Sequence, residues 1–278
     1  MSHTLTLGYS PCPNDTFIFA ALVHNLVPCG GLRFQERLED VETLNRLALN
    51  TTLDLTKISY HAFGHVREQY TLLRSGSALG RGCGPLVVAA SPCTMADLRN
   101  STVLIPGEMT TASLLLQLCE SGITDLRSIP FNEIMPALQR GEAAAGVIIH
   151  ESRFTFADYA LHQVIDLGQW WEESTGLPIP LGGILARRDL DPELVARVEQ
   201  GICASLEFAQ EHPEMVAAYI RTHAQELSEE VTAKHIDLYV NDFSLDLGPE
   251  GEHAVRYLLQ QAEERGIIPT CDKPLFAL

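Results

Sequence analysis

The sequence predicts an α/β fold with mostly parallel strands, divided between two lobes, and three observations carry the prediction. Short β-branched runs alternate with helix-like runs through the first 150 residues, a pattern that favours parallel strands over hairpins. Two Gly/Pro-rich stretches, GRGCGPLVVAA at 80–90 and GLPIPLGGILARR at 176–188, each lead into an apolar run. From residue 191 onward the periodicity is that of amphipathic helices.

The elements follow in order. TLTLGYS (4–10) reads as a strand and DTFIFAALVHNL (15–26) as the helix behind it. LDLTKIS (53–59) is a second strand, followed by the helix YHAFGHVREQY (60–70). STVLIPG (101–107) and TTASLLLQLCE (110–120) make the next pair, and the helix FNEIMPALQR (131–140) precedes the strand AAGVIIH (144–150). Asp191 and Pro192 form a start signal for the helices that follow. If both Gly/Pro-rich stretches are crossovers, residues 1–88 and 185–278 form a large lobe and 89–184 a small one.

Composition excludes several classes of function. Asp and Glu outnumber Lys and Arg 36 to 19, giving a net charge of −17, which argues against any nucleic-acid partner. MSHTLTLGYSPCPND lacks the basic flank and apolar core of a secretory signal, and no apolar stretch approaches the ~20 residues of a membrane span. The expectation is a cytoplasmic protein with no membrane partner. Seven cysteines without C-x-x-C spacing fit reduced, structural thiols better than a disulfide framework.

Ligands of parallel α/β sheets collect at the carboxyl ends of the strands. Four junctions there carry chemistry. After the first strand, Ser10, Asn14, Asp15 and Thr16 either cap a helix on a Pro-stiffened turn or line a site. Lys57 in LTKISY is a lone cation in an apolar strand: an exposed edge residue, an ion-pair partner or an anion-binding group, with Ser59 at the next helix start. In IPGEMTTASLLL, Gly107 permits a tight turn, and Thr110, Thr111 and Ala112 open a helix whose N–H groups either are simply capped or receive an anion. His150, at the end of AAGVIIH, is a structural histidine or a base suited to proton abstraction near neutral pH.

Other patterns carry less. His61 and His65 are spaced i, i+4, yet the Glu of H-E-x-x-H is missing and no third ligand presents itself, so a solvated helix face is the expectation. Trp170 and Trp171 either stack on a ligand ring or pack between lobes. A P-loop, a dinucleotide fingerprint and a G-x-S-x-G elbow are all absent.

The junctions also carry a resemblance. LGYSPCPNDTFIFAALV, LEDVETLN, LTKISY, SGSALGRGCGPLVV, PGEMTTASLLL, GVIIHESRFTF, DLGQWWEESTGLPIPLGGILARRDL and VNDFSLDLG resemble, nearly collinearly along the chain, the 1,4-dihydroxy-6-naphthoate synthase family of the futalosine route to menaquinone. That implies a fold like the type II periplasmic solute-binding proteins, two lobes joined by two crossover strands with a cleft between them. It implies a lyase, without metal or organic cofactor, that cleaves cyclic dehypoxanthine futalosine to the naphthoate and a three-carbon fragment. Its substrate is a small molecule with a carboxylate and sugar-derived hydroxyls.

Carried over residue by residue, the resemblance makes His150 the proton acceptor and Lys57, Ile58, Ser59, Thr111 and Ala112 substrate-binding residues. Asn14 and Thr110 are further candidates. A non-catalytic receptor and a chorismate dehydratase share the expected fold; HESRFTF and WWEESTGLP fit the naphthoate synthases better.

Overall fold

The computed structural model describes residues 3–224 and 228–277. Strand β1 (His3–Tyr9) runs into helix α1 (Pro13–Val23), then β2 (Leu32–Leu38), α2 (Val41–Leu49), β3 (Leu55–Ser59) and α3 (Tyr60–Val66). Two short strands, β4 (Tyr70–Leu72) and β5 (Ala78–Gly80), complete this part of the chain. Pro13 sits in the first turn of α1, where its missing N–H costs nothing. Residues 13–22 of that helix are all buried, because α1 lies between the sheet and three helices from the chain's end, α8 (Pro192–Glu211), α9 (Pro213–His223) and α10 (Glu229–Tyr239). This explains why FIFAALV is apolar all round.

The second part holds β6 (Leu86–Ala89), β7 (Val103–Ile105), α4 (Thr111–Cys119), β8 (Leu126–Ser128), α5 (Phe131–Gln139), β9 (Ala145–Ile148), the one-turn α6 (Ser152–Thr155), β10 (His162–Asp166) and α7 (Leu167–Thr175). The chain then returns along β11 (Ile179–Arg187) and ends in helices, including α11 (Asp242–Leu245) and α12 (Gly248–Glu264). Asp191 caps α8 by accepting from the N–H groups of Glu193 and Leu194, with Pro192 in its first turn, as the start signal predicts.

The strands form two sheets, ordered β2-β1-β3-β11-β4 with β5 also on β11, and β10-β6-β9-β7-β8. The expectation of mostly parallel strands needs correction. Among the described strands four pairings are parallel and five antiparallel, and each of these antiparallel pairings involves β6 or β11. Both strands enter their sheet directly after the chain has crossed from the other, so they run against strands whose carboxyl ends face the cleft.

The crossings also come early. The chain changes sheet between Gly80 and Leu86 and again between Asp166 and Ile179, so the expected boundaries at 88/89 and 184/185 fall inside β6 and β11. Residues 81–85 make the first crossing, α7 and the turn at 176–178 make the second, and the apolar runs after them already belong to the next sheet.

One apolar cluster joins the two lobes. Leu44, Phe63 and Leu72 from the first lobe pack in the same cluster as Val87, Val103, Leu115 and Val147 from the second, with Val255 and Leu258 of α12 alongside. Trp171 belongs to this cluster. It is buried, donates its Nε1–H to the Pro178 carbonyl at 3.1 Å and meets the Tyr257 ring edge-on at 5.8 Å. Trp170 and Trp171 pack together 6.4 Å apart, and neither lines the cavity described below.

Candidate functional site

The carboxyl ends of β1, β3 and β9 and the start of α4 converge on one cavity between the lobes. Asn14, Lys57, Ile58, Ser59, Thr110, Thr111, Ala112 and His150 all line it. Thr16 does not; its hydroxyl donates to the Cys12 carbonyl at 3.1 Å inside α1.

On the first lobe the cavity wall is a buried polar network. Lys57 lies on a central strand, not an edge, and its Nζ sits 2.6 Å from Asp15 Oδ1, both side chains nearly inaccessible. Apart from this ion pair, the ammonium has no hydrogen-bond acceptor among the described residues. Asp15 also accepts from the Ser10 hydroxyl (2.7 Å), the Ser10 N–H (3.1 Å) and Asn14 Nδ2 (2.8 Å). Ser59 is fixed by Asn45, whose Oδ1 accepts the Ser59 N–H at 3.0 Å and whose Nδ2 donates to Ser59 Oγ at 3.3 Å. Among the described residues no acceptor takes the Ser59 hydroxyl proton. The Ile58 side chain is part of the core cluster.

On the second lobe, α4 is capped by Thr110, whose hydroxyl oxygen accepts the Ser113 N–H and whose proton goes to the Gly107 carbonyl at 2.8 Å. The Gly107 position is glycine for a reason beyond the turn. A Cβ there would stand 2.4 Å from Glu42 Oε2 and 2.8 Å from Glu42 Cβ, so the first lobe packs directly onto this backbone. Glu42 Oε2 accepts the Met109 N–H at 3.2 Å, and the Thr111 hydroxyl donates to the Leu181 carbonyl of β11 at 2.6 Å. These contacts hold the lobes together across the cleft.

His61 is another such contact, and the expectation of a solvated face fails for it. It is 4% exposed, its Nδ1–H reaches the Thr110 carbonyl at 3.2 Å, and burial, helped by nearby His65, lowers its pKa to about 4. The YHAFGHV helix lies between the lobes rather than on the surface. Among the described residues no group of three His, Cys, Asp or Glu side chains is placed to hold a metal ion.

His150 follows β9 in the left-handed backbone region, φ 57°, a conformation disfavoured for a residue with a Cβ and found where surrounding structure imposes it. The half-buried imidazole stands with Nδ1 3.6 Å from Cys12 Sγ, in a T-shaped contact with Phe131 at 5.0 Å and stacked toward His235, 6.2 Å away and 19° from parallel. Burial lowers its pKa below the usual 6.5; the carboxylates of Glu151, Asp15 and Asp40 pull the other way, and Lys57 adds to the lowering. Cys12 is buried and its thiol pKa is raised, first by that burial. Arg153 is tied to the Gly84 carbonyl and to Asp166, both at 2.6 Å, while Glu151 Oε2 is buried without a hydrogen-bond partner among the described residues.

Sequence reasoning missed part of the lining. His235 and Tyr239, both on α10, enter the cavity from a helix remote in sequence, Cys83 comes from the first crossing and Leu181 from β11. His235 is 1% exposed, its Nε2 lies 3.0 Å from Asn14 Oδ1, and burial with the neighbouring His150 lowers its pKa to about 3. A single histidine in EEVTAKHIDLY gives no signal of this.

Known proteins resemble the chain along nearly its whole length. The family model for menaquinone biosynthesis matches residues 5–264. A 1,4-dihydroxy-6-naphtoate synthase from Thermus thermophilus is 53% identical over 272 residues, covering 98% of each chain. Its counterpart from Streptomyces coelicolor is 44% identical, over 96% of this chain and 95% of its own. The crystal structure of an Archaeoglobus fulgidus protein superposes with a TM-score of 0.90 at 34% identity, over 96% of this chain and 99% of that one. The periplasmic aliphatic sulphonate binding protein from Escherichia coli, at 14% identity and a TM-score of 0.66 over 98% of this chain and 90% of its own, shares the fold alone, which is that of the type II periplasmic binding proteins.

Proposed function

The chain belongs to the menaquinone biosynthesis family of 1,4-dihydroxy-6-naphthoate synthases, and from that premise we propose that it is a carbon–carbon lyase converting cyclic dehypoxanthine futalosine to 1,4-dihydroxy-6-naphthoate and a three-carbon fragment, with His150 as the base. One observation carries the residue-level reading. The left-handed His150 follows β9 and lines the cavity that Lys57, Ser59 and Thr111 also line.

The chemistry follows from the surroundings of the ring. Cys12 stays a neutral thiol because burial raises its pKa, and with the His150 ring in its Nδ1–H tautomer the sulfur, 3.6 Å away, accepts that hydrogen. That leaves the lone pair on Nε2. Since burial keeps the imidazole neutral at pH 7, Nε2 removes a proton from the sugar-derived part of the substrate. Collapse of the resulting anion expels the three-carbon fragment, and aromatisation of the remaining ring draws the sequence forward. Closure of the lobes keeps water from the anion.

Binding is dipolar as much as ionic. Lys57 is neutralised by Asp15, so the substrate's carboxylate meets the N–H groups opening α4 at Thr111 and Ala112, with the spare N–H bonds of Lys57 and the Ser59 hydroxyl as further donors. Asn14 and Thr110 stand beside them.

Incubation of the purified protein with the cyclic precursor, followed by naphthoate absorbance, tests the activity. Binding without turnover would make the protein a receptor, and turnover of chorismate in its place would make it a dehydratase. His150→Ala lowers kcat by about 10²- to 10⁴-fold with KM near the wild-type value; unchanged turnover would remove His150 from the role.

A further inference from the structure

His235 has no part in the reaction as read above, yet the network around it fixes what its ring can do. The Asp15 carboxylate only accepts hydrogen bonds, so Asn14 must turn its Nδ2 toward Asp15 Oδ1, at 2.8 Å. Its own Oδ1 then faces His235 Nε2, at 3.0 Å. An amide oxygen only accepts as well, so the ring hydrogen of His235 sits on Nε2 and Nδ1 carries a bare lone pair. The ion pair between Lys57 and Asp15 anchors this sequence, in which each group donates toward Asp15: His235 Nε2–H to Asn14, and Asn14 Nδ2 to the carboxylate.

Nδ1 itself is buried and has no hydrogen-bond partner among the described residues, although the ring lines the same cavity as His150 and lies stacked beside it. A buried acceptor left unpaired is a standing penalty to the fold that a donor on a ligand removes. The ligand's donor has to be a neutral O–H or N–H, because a cation there would lie in the row of Lys57 and the two histidines.

We propose that His235 Nδ1 accepts a hydrogen bond from a hydroxyl of the substrate and thereby selects the hydroxylated, sugar-derived ring over a deoxy analogue. This rests on the reading of the substrate given above and assigns the acceptor for one of its hydroxyls. The bond holds that ring beside His150, the base, and acts on substrate affinity rather than on proton transfer.

His235→Gln and His235→Asn test it. The Gln amide reaches the place of Nε2 and keeps Asn14 company while removing the acceptor at Nδ1; the Asn amide stands near Nδ1 and can supply an acceptor there. Loss of the acceptor raises KM for cyclic dehypoxanthine futalosine roughly 5- to 150-fold with a smaller change in kcat, and Asn restores part of the loss. A KM in His235→Gln within twofold of wild type overturns the proposal.

Wild-type protein carrying ¹⁵N-labelled histidine gives a second readout that needs no variant to fold. The unprotonated Nδ1 of His235 shifts upfield when the precursor is added, and a signal that stays where it was overturns the proposal whatever the turnover. Wild type that shows the shift without forming naphthoate refutes the lyase reading and leaves the acceptor standing.

Discussion

His61 makes the protein's stability depend on acid in a way that can be worked out beforehand. Its imidazole has a pKa of about 4 in the folded protein, against 6.5 for the free side chain, so between those values the unfolded chain binds a proton that the folded one does not. Stability from this group is complete above pH 6.5 and is lost as pH falls toward 4. At pH 5 the unfolded ring is almost wholly protonated and the folded ring almost wholly neutral, a difference of about 1.5 pH units in proton affinity, or about 2 kcal/mol. At pH 7 the same difference is a few tenths of a kcal/mol at most.

The assay is urea unfolding of wild type and His61→Gln at pH 7 and pH 5, followed by tryptophan fluorescence. The variant loses the bond to the Thr110 carbonyl at both pH values, so that cost cancels in the comparison. Wild type loses about 2 kcal/mol more than the variant on acidification, or about 0.7 M in midpoint for a urea slope of about 3 kcal/mol/M. Equal losses in the two proteins would refute a buried neutral His61 between the lobes.

Three further outcomes follow from the site. With His150 in its proposed role as base and its pKa lowered by burial, kcat/KM is flat above pH 6.5 and falls on the acid side, a limb that a pH–rate profile of His150→Ala lacks. Lys57→Met strands the buried Asp15 carboxylate and costs about 3–5 kcal/mol by urea unfolding, much of it recovered when Asp15→Asn is added. Gly107→Ala costs about 1–3 kcal/mol, because Glu42 cannot swing clear of a methyl group that meets its Cβ as well as its carboxylate, and small-angle scattering should register a more open cleft.

How much of this the sequence could reveal differs from element to element. Strand ends were legible because a β-branched run that stops at Ser59 or His150 marks its own carboxyl end, and the residues gathered there do line one cavity. Strand direction was not. Val87 and Ile184 have the same local character in a parallel or an antiparallel pairing, and only the path of the chain between lobes decides which forms. The crossover boundaries slipped for the same reason.

Partners distant in sequence stayed hidden as well. Lys57 gave itself away as an oddity, but its pairing with Asp15 depends on β1 and β3 lying side by side. Cys12 looked like one scattered thiol until β9 brought His150 to it across 138 positions. His235 was the least legible, since its contact with Asn14 spans 221 positions and its helix is otherwise an ordinary polar one.

The apolar cluster shared between the lobes has a consequence for the rhythm of turnover. Parting the sheets would wet side chains such as Phe63, Leu115 and Val147, so the hydrophobic effect favours a shut cleft even when it is empty. A scavenging receptor gains from waiting with its mouth open. Here the seam between the lobes is apolar, so warming or mild denaturant that loosens it is expected to quicken the exchange of substrate and product before it harms the chemistry.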